Sequence, residues 1–300
     1  MSKFNQPDTR NDDTLVYVNG LVKREDAKVS VLDSVVQGGD AVWEGLRLYK
    51  GKIFQLNEHI NRLLASAHVL DFKNCPAREE IEKAIFDTLK ANNMSSGVHV
   101  RLTLTRGLKS TSGMNPDLNI FGCTLIVLPE YKGLVYGDDG LTLITSSIRR
   151  NAPANLDSKI HHNNLLNNIL AKIEANYAKA DDAVMLDNAG FVSETNATNI
   201  FIVNGGKVIT PFANACLPGL TRAKVIELCE KNSIPISEAN ISMAELYTAD
   251  EVFTTGTMGA LSWVKEIDGR MIRNGTKGDL ISQLSSLYFE AVENEGVSVK

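Results

Sequence analysis

Leu15-Val16-Tyr17-Val18-Asn19-Gly20-Leu21-Val22 sets two short, β-branched apolar runs on either side of Asn-Gly. This is the strongest short hairpin signal, because both turn positions favour a positive φ. An antiparallel strand pair is therefore expected to open the chain. Working outward, residues 45–49 and 53–56 form a second expected pair around a turn at Lys50-Gly51. Asn57 is placed to cap a helix whose apolar positions Ile60, Leu63, Leu64 and Ala67 recur at helical spacing. Another helix is expected after Pro76, and residues 98–104 and 120–128 have strand composition. Residues 1–129 thus form a small α+β domain with a mainly antiparallel sheet.

Residues 129–140 break this pattern with Pro, Gly, Asp and Tyr, so 130–140 is expected to connect two domains. Beyond it, short strands at 141–145, 183–186, 200–203 and 252–255 alternate with helices at about 164–179, 222–232 and 278–294. Turns at Asp187-Asn188-Ala189-Gly190 and Asn204-Gly205-Gly206 mark further hairpins. Residues 141–300 are therefore expected as a larger, mixed domain rather than a regular βαβ array. A chain of 300 residues with 43% apolar types has the material for two cores.

A net charge of -5 without basic clusters argues against a nucleic-acid or anionic-membrane surface. No run approaches the roughly 20 apolar residues of a membrane span. The segment MSKFNQPDTRNDD is polar where a secretion signal would be apolar, so a cytoplasmic setting is expected. Cys75, Cys123, Cys216 and Cys229 are far apart and form no metal-like ladder with the five histidines. They are expected as reduced core residues, and no metal site is expected. The common nucleotide, hydrolase and zinc motifs are also absent. One segment does suggest a ligand. Pro218-Gly219-Leu220-Thr221-Arg222 precedes an apolar-periodic helix, where free N–H groups and the helix dipole favour an anion such as phosphate. Thr221 acting simply as a helix cap is the open alternative.

Six segments taken in order carry a resemblance that covers nearly the whole chain. They are Trp43-Glu44-Gly45-Leu46-Arg47-Leu48-Tyr49, Glu58-His59-Ile60-Asn61-Arg62-Leu63, Ser158-Lys159, Ser193-Glu194-Thr195-Asn196-Ala197-Thr198-Asn199-Ile200-Phe201, Leu217-Pro218-Gly219-Leu220-Thr221-Arg222 and Thr255-Gly256-Thr257. Together they resemble the fold type IV pyridoxal phosphate enzymes, the class IV aminotransferases, whose two-domain α+β fold is that of D-amino acid aminotransferase. The nearest resemblance is to branched-chain aminotransferase-like proteins.

The resemblance implies pyridoxal 5′-phosphate as cofactor, held as a Schiff base on Lys159, which also carries a proton during the reaction. Desolvation of that lysine is expected, since it frees the amine to act as nucleophile and base. Glu194 would pair with the pyridine nitrogen, and Arg62, the N–H groups of Leu220 and Thr221, and Thr257 would hold the phosphate. Arg47, His99, Arg101 and Trp43 are candidates for the substrate pocket. Structural ion pairing of the arginines and core packing of Trp43 are the alternatives. A homodimer is implied, with an amino donor and a 2-oxo acid such as 2-oxoglutarate as small-molecule partners.

Two departures from the branched-chain pattern keep the reaction open. No tyrosine follows Lys159 in Ile160-His161-His162-Asn163-Asn164-Leu165-Leu166, and His99-Val100-Arg101 stands where those enzymes have Tyr-x-Arg. Thr105-Arg106-Gly107 lacks the Arg-x-His that follows it in D-amino acid aminotransferases. An aminodeoxychorismate lyase-type reaction and a D-amino acid or (R)-amine transaminase are the alternatives.

Overall fold

Strand β1 (Leu15–Val18) pairs antiparallel with β2 (Leu21–Lys23) as the Asn-Gly signal predicts, with Val16 opposite Val22. Only Asn19 takes a positive φ, at 50°, so the expectation for Gly20 is not met. The reason is tertiary: the Asn19 side chain accepts from Leu125 N at 2.7 Å and its own N–H donates to Leu125 O, which fixes the turn against a third strand. The structure, a computed structural model, describes residues 7–299. It divides into two units, one of Met1–Gly133, Ile160–Asn164 and Val292–Lys300, the other of Leu134–Lys159 and Leu165–Ala291. The short segments 160–164 and 292–300 are ones a contiguous division of the chain does not include.

The first unit is a seven-stranded antiparallel sheet. It adds α1 (Ser34–Gly38), β3 (Ala41–Tyr49), β4 (Lys52–Ile53), α2 (Leu56–Val69), α3 (Arg78–Ala91), β5 (Val98–Thr105) and β6 (Thr124–Tyr131). Its order runs from the terminal strand Val297–Ser298 through β4, β3, β5, β6 and β1 to β2. The helical spacing of Ile60, Leu63 and Ala67 on α2, and of Ile81, Ile85 and Leu89 on α3, turns one stripe of each helix onto Leu46, Val100, Leu102 and Val127.

Three local expectations are corrected. Asn57 does not cap α2; the cap position falls two residues earlier, at Gln55 with φ 52°, and the Asn57 amide oxygen instead accepts from Arg78 at 3.1 Å. The strand expected at 120–128 begins only at Thr124, because Gly122 at φ 80° turns the chain and leaves Ile120 and Phe121 exposed. It also runs past Pro129, which pairs with Val100 on β5. Pairing with β1 ends at Val127, so the missing N–H of Pro129 breaks no ladder bond on that side.

The second unit contains β7 (Leu141–Thr145), α4 (Leu166–Tyr177), β8 (Asp182–Leu186), β9 (Val192–Thr195), β10 (Asn199–Asn204), β11 (Lys207–Pro211), α5 (Leu220–Lys231), β12 (Ile236–Ala239), α6 (Met243–Tyr247), β13 (Glu251–Gly256), β14 (Ala260–Ile267), β15 (Arg270–Met271) and α7 (Asp279–Glu295). The sheet order is β12-β11-β10-β13-β14-β7-β8-β9, with β15 beside β14. Antiparallel pairs dominate; α4 and α5 are the crossovers of the parallel pairs β7–β8 and β11–β12, and β7 also runs parallel to β14. Phe201 of β10 and Phe253 of β13 stack with centroids 4.9 Å apart, fully buried against Val225 and Cys229 of α5 and Ile281 and Leu284 of α7.

That stack is the core beneath β10, the strand that follows Glu194 and begins at Asn199. Phe253→Ala is expected to cost about 3–5 kcal/mol of stability through lost burial and a residual cavity. Urea unfolding of wild type and variant measures it, and a loss below about 1 kcal/mol would show that the stack is not a core element.

Candidate active site

Lys159 ends the loop that leads out of β7, and it is the last residue before the chain enters segment 160–164 of the first unit. Two bonds fix the loop: Ser158 Oγ donates to Asn151 O at 2.7 Å, and Lys159 N donates to Asp157 Oδ1 at 3.0 Å. The Lys159 side chain is exposed, so the expected desolvation is not supplied by the chain alone.

Glu194 lies on β9 and is only 5% exposed. Arg150 donates Nε to its Oε1 at 2.5 Å, and Asn199 donates Nδ2 to its Oε2 at 3.2 Å. Burial raises the Glu194 pKa, and the charge and hydrogen bond of Arg150 pull against it. Arg150 is itself held by Asn167 at the start of α4, whose Oδ1 accepts from Nη1 at 2.9 Å. Sequence reasoning did not single out Arg150. The signal was available, since a carboxylate destined for burial needs a cation and Arg149-Arg150 lies in the preceding loop.

Thr195, Asn196 and Thr198, which follow Glu194, build one tight turn. Thr195 and Thr198 hydroxyls bond each other at 2.7 Å, Thr195 Oγ1 accepts from Thr198 N, and Asn196 Oδ1 accepts from Ala183 N at 2.7 Å. Asn199 then reaches across: its Nδ2 also donates to Leu217 O at 2.9 Å. A Cβ on Gly219 would stand 2.1 Å from Asn199 Oδ1, so this position needs glycine. Gly219 is the N-cap of α5 and offers no side-chain acceptor, which leaves the first-turn N–H groups, those of Leu220 and Thr221 among them, available to an anion. Thr221 is buried within this turn, and Thr257 is half-buried beyond the end of β13. The buried hydroxyls of Ser193, Thr254 and Thr255 have no hydrogen-bond partner among the described residues. A buried carboxylate, an uncapped helix start and unpartnered hydroxyls fit a cofactor with a protonated ring nitrogen and a phosphate.

In the first unit, Glu44 of β3 is fully buried and accepts from Arg62 through Nε at 2.7 Å and Nη2 at 2.7 Å, a bidentate pair. His59 Nδ1 lies 2.7 Å from Glu44 Oε2 and His161 Nδ1 lies 3.1 Å from Oε1. Burial alone would raise the Glu44 pKa, but the facing His161 and the hydrogen bonds from Arg62, His161 and His59 hold it well below the usual carboxylate range. Burial pushes His161 down to about 4, so at neutral pH His161 is uncharged, while the bidentate Arg62 guanidinium supplies positive charge to Glu44.

Arg47, Tyr49 and His99 share one face of the sheet, because Arg47 and His99 are cross-strand partners and Tyr49 is two residues along β3. Arg47 is buried and donates to Lys132 O at 3.0 Å and Gly133 O at 3.3 Å. Its Nε, Tyr49 Oη and His99 Nε2 have no hydrogen-bond partner among the described residues. Arg101 lies 3.4 Å over the Trp43 ring and donates to Asn163 at 3.2 Å, while Trp43 Nε1 donates to His162 O. Burial, reinforced by Lys132, Arg101 and Arg47, pushes His99 down to about 3, so its imidazole is neutral. Among the described residues no group of three or more His, Cys, Asp or Glu could hold a metal.

These shifts set the acid stability of the fold. His99 and His161 have folded pKa values of about 3 and about 4 against an ordinary 6.5, so their contribution is complete above 6.5 and is lost as pH falls toward the folded values. Glu44, with its pKa depressed from 4.5, adds a loss of the same sign at lower pH. Glu194 acts oppositely, since its raised pKa favours folding below 4.5 and that contribution is lost as pH rises through the folded value. Urea unfolding is expected to show stability falling between about pH 7.5 and about pH 5, with a shallower slope in His99→Gln. An unchanged slope in that variant would remove His99 from the account.

A profile of the family described as Amino-transferase class IV matches residues 41–267. A "Branched-chain-amino-acid aminotransferase-like protein 2" of Arabidopsis thaliana is 58% identical over 295 residues, 98% of this chain but 53% of that protein. The chain thus spans about half the length of this relative. A "D-alanine aminotransferase" of Listeria monocytogenes is 34% identical over 279 residues, covering 91% of this chain and 94% of that one. The crystal structure of a branched-chain amino acid aminotransferase from T.th., complexed with N-(5′-phosphopyridoxyl)-L-glutamate, superposes with a TM-score of 0.89 at 34% identity, over 96% of this chain and 99% of that one. The six ordered segments, the two-sheet fold and these matches agree, and the chain belongs to the class IV aminotransferases.

Proposed function

We propose that this chain is a pyridoxal 5′-phosphate-dependent transaminase that exchanges an amino group between an amino acid or amine and a 2-oxo acid such as 2-oxoglutarate. The observation that carries this is the double use of Asn199, whose amide binds both Glu194 and Leu217 O. It joins a buried carboxylate, suited to a pyridine nitrogen, to the turn that opens α5, suited to a phosphate. When bound, the cofactor would supply an electron sink for the substrate α-carbon. Lys159 is the attachment point and carries the proton at Nζ. Glu194, its charge supported by Arg150, keeps the proton on the ring nitrogen. Arg62, the N–H groups of Leu220 and Thr221, and Thr257 take the phosphate, and Arg47, His99, Arg101 and Trp43 take the substrate. The unpartnered Nε of Arg47 and Nε2 of His99 support that last role.

A branched-chain aminotransferase-like specificity follows the Arabidopsis relative and the branched-chain enzyme of known structure, and the D-alanine aminotransferase relative supports the D-amino acid alternative. A screen of donors and acceptors with both enantiomers decides between them. A transaminase is expected to turn from its yellow form to the pyridoxamine form on mixing with an amino donor. A persistent yellow form with release of pyruvate would sink this reading in favour of the lyase. Lys159→Ala is expected to lose the visible cofactor band and at least about a thousandfold in activity.

The same proposal includes a homodimer. Helix α4 presents Leu166 at 72% exposure, Ile169, Leu170, Ile173 and Tyr177 at 87%, an apolar stripe at helical spacing with only Ala171 and Ala175 buried beneath it. A second copy is a self-complementary cover for such a stripe. Sedimentation is expected to give twice the chain mass for wild type and the single mass for Ile169→Asp/Ile173→Asp. A dimer that survives this double substitution would move the interface elsewhere. No described helix is long and apolar enough to cross a membrane. A cytoplasmic setting completes the reading, in keeping with four free cysteines.

A further inference from the structure

Cys75 and Cys123 are 48 residues apart in sequence, yet their Sγ atoms lie 3.8 Å apart. The expectation of isolated core cysteines holds for Cys216 and Cys229, which are buried, and fails for this pair, which is half-buried at the surface of the first unit. Cys75 stands in the α2–α3 connection and Cys123 directly before β6, where a helix-spacing or strand-spacing pattern carries no information about the other.

The contact is built rather than incidental. On one side, Arg106 donates Nη2 to Leu70 O at 2.8 Å and Nη1 to Asp71 O at 3.2 Å, and lies 4.5 Å over the Phe72 ring. Its Nε meets Asp40 Oδ2 at 2.5 Å. The α2–α3 connection is thereby tied to the loop after β5. On the other side, Gly107 at φ +102° lies so close to Gly122 that a Cβ there would stand 1.7 Å from Gly122 O. That close approach fixes the backbone immediately before Cys123. The Cys123 thiol also has Lys73 O at 3.5 Å, and the Cys75 thiol has Phe72 O at 3.9 Å.

We propose that Cys75 and Cys123 form a redox-active dithiol site that reacts with low-molecular-weight disulfides of the glutathione class and closes to an intramolecular disulfide. The Cys75 thiolate attacks one sulfur of the small disulfide; a Cys75–S–S–R bond forms, the R–S–S–R bond breaks and one R–S⁻ leaves. Cys123 then gives up its proton and attacks the Cys75 sulfur, which forms the Cys75–Cys123 bond and expels the second R–S⁻. The two protein thiols lose two electrons, the small disulfide gains them, and the two protons end on the two released thiols. The sulfurs must close from 3.8 Å to about 2.05 Å, and both belong to partly exposed residues. Contact with Cys123 draws the Cys75 thiol down to about 7 against burial, with the Arg106 charge adding to it, while the same contact pushes Cys123 up, which makes Cys75 the attacking thiol. The transaminase reading assigns no role to either thiol, so this site stands or falls on the first unit alone.

Intact-mass measurement of the holoenzyme treated with glutathione disulfide tests the proposal. Wild type is expected to lose two hydrogens, retain no glutathione, yield a peptide cross-linked between Cys75 and Cys123 and revert with dithiothreitol. Cys123→Ser is expected to retain one glutathione on Cys75. Cys75→Ser is expected to react at least about tenfold more slowly, and the wild-type rate to rise with pH around neutrality. Cys216 and Cys229, buried, serve as unreactive internal controls. Wild type that stays unmodified, keeps a stable glutathione adduct, or forms only a bridge between two molecules would overturn it, whatever the behaviour of the variants.

Discussion

Burial of the Glu194 carboxylate is the constraint to which much of the second unit answers. An ionisable group at 5% exposure must be met by charge or by hydrogen bonds, and here Arg150 and Asn199 take one carboxylate oxygen each. Each partner is committed further: Arg150 to Asn167 at the start of α4, Asn199 to Leu217 O in the turn before α5. One buried acid therefore fixes the start of one crossover helix and the approach to another. Gly219 belongs to the same chain of causes, since Asn199 can keep its position only if no Cβ projects at that point.

The first unit solves the same problem with different groups. Glu44 is deeper still, and Arg62 meets it with a two-pronged contact while His59 and His161 bond to the same carboxylate. Arg62 is thus a structural ion-pair partner as well as the arginine proposed for the phosphate. The two descriptions are compatible for a residue whose guanidinium has five donors. The neutral state of His99 follows from the same electrostatics, because an imidazolium would have to sit in a buried place already occupied by Arg47 and Arg101.

Periodic apolar patterns placed the long elements well. Helices α2, α4, α5 and α7 lie within two residues of where their apolar spacing put them, and the hairpin at Asn19 formed where its turn residues asked. Short-range polar signals did worse. Asn57 was available as a cap and was taken by Arg78 instead; Gly20 did not need its positive φ once Leu125 held Asn19; Pro129 did not end its strand because no partner lay on that side. For Asn57 and Gly20 a contact from far along the chain outweighed a preference of the local sequence, and for Pro129 the sheet left its missing N–H without cost.

By itself the sequence determined the α+β class, the apolar faces of the helices and the order of the chemical motifs, because these depend on residue type and spacing along the chain. The place of Glu194 in that order was legible on the same ground. Only the tertiary structure decided which cation stands beside Glu194, that Arg62 grips Glu44, that Lys159 is exposed, and that Cys75 meets Cys123. Those are pairings between side chains 18 to 48 residues apart, or exposures set by the packing of whole elements. No local period encodes them, since they arise where a buried charge or a close backbone approach selects its partner in space.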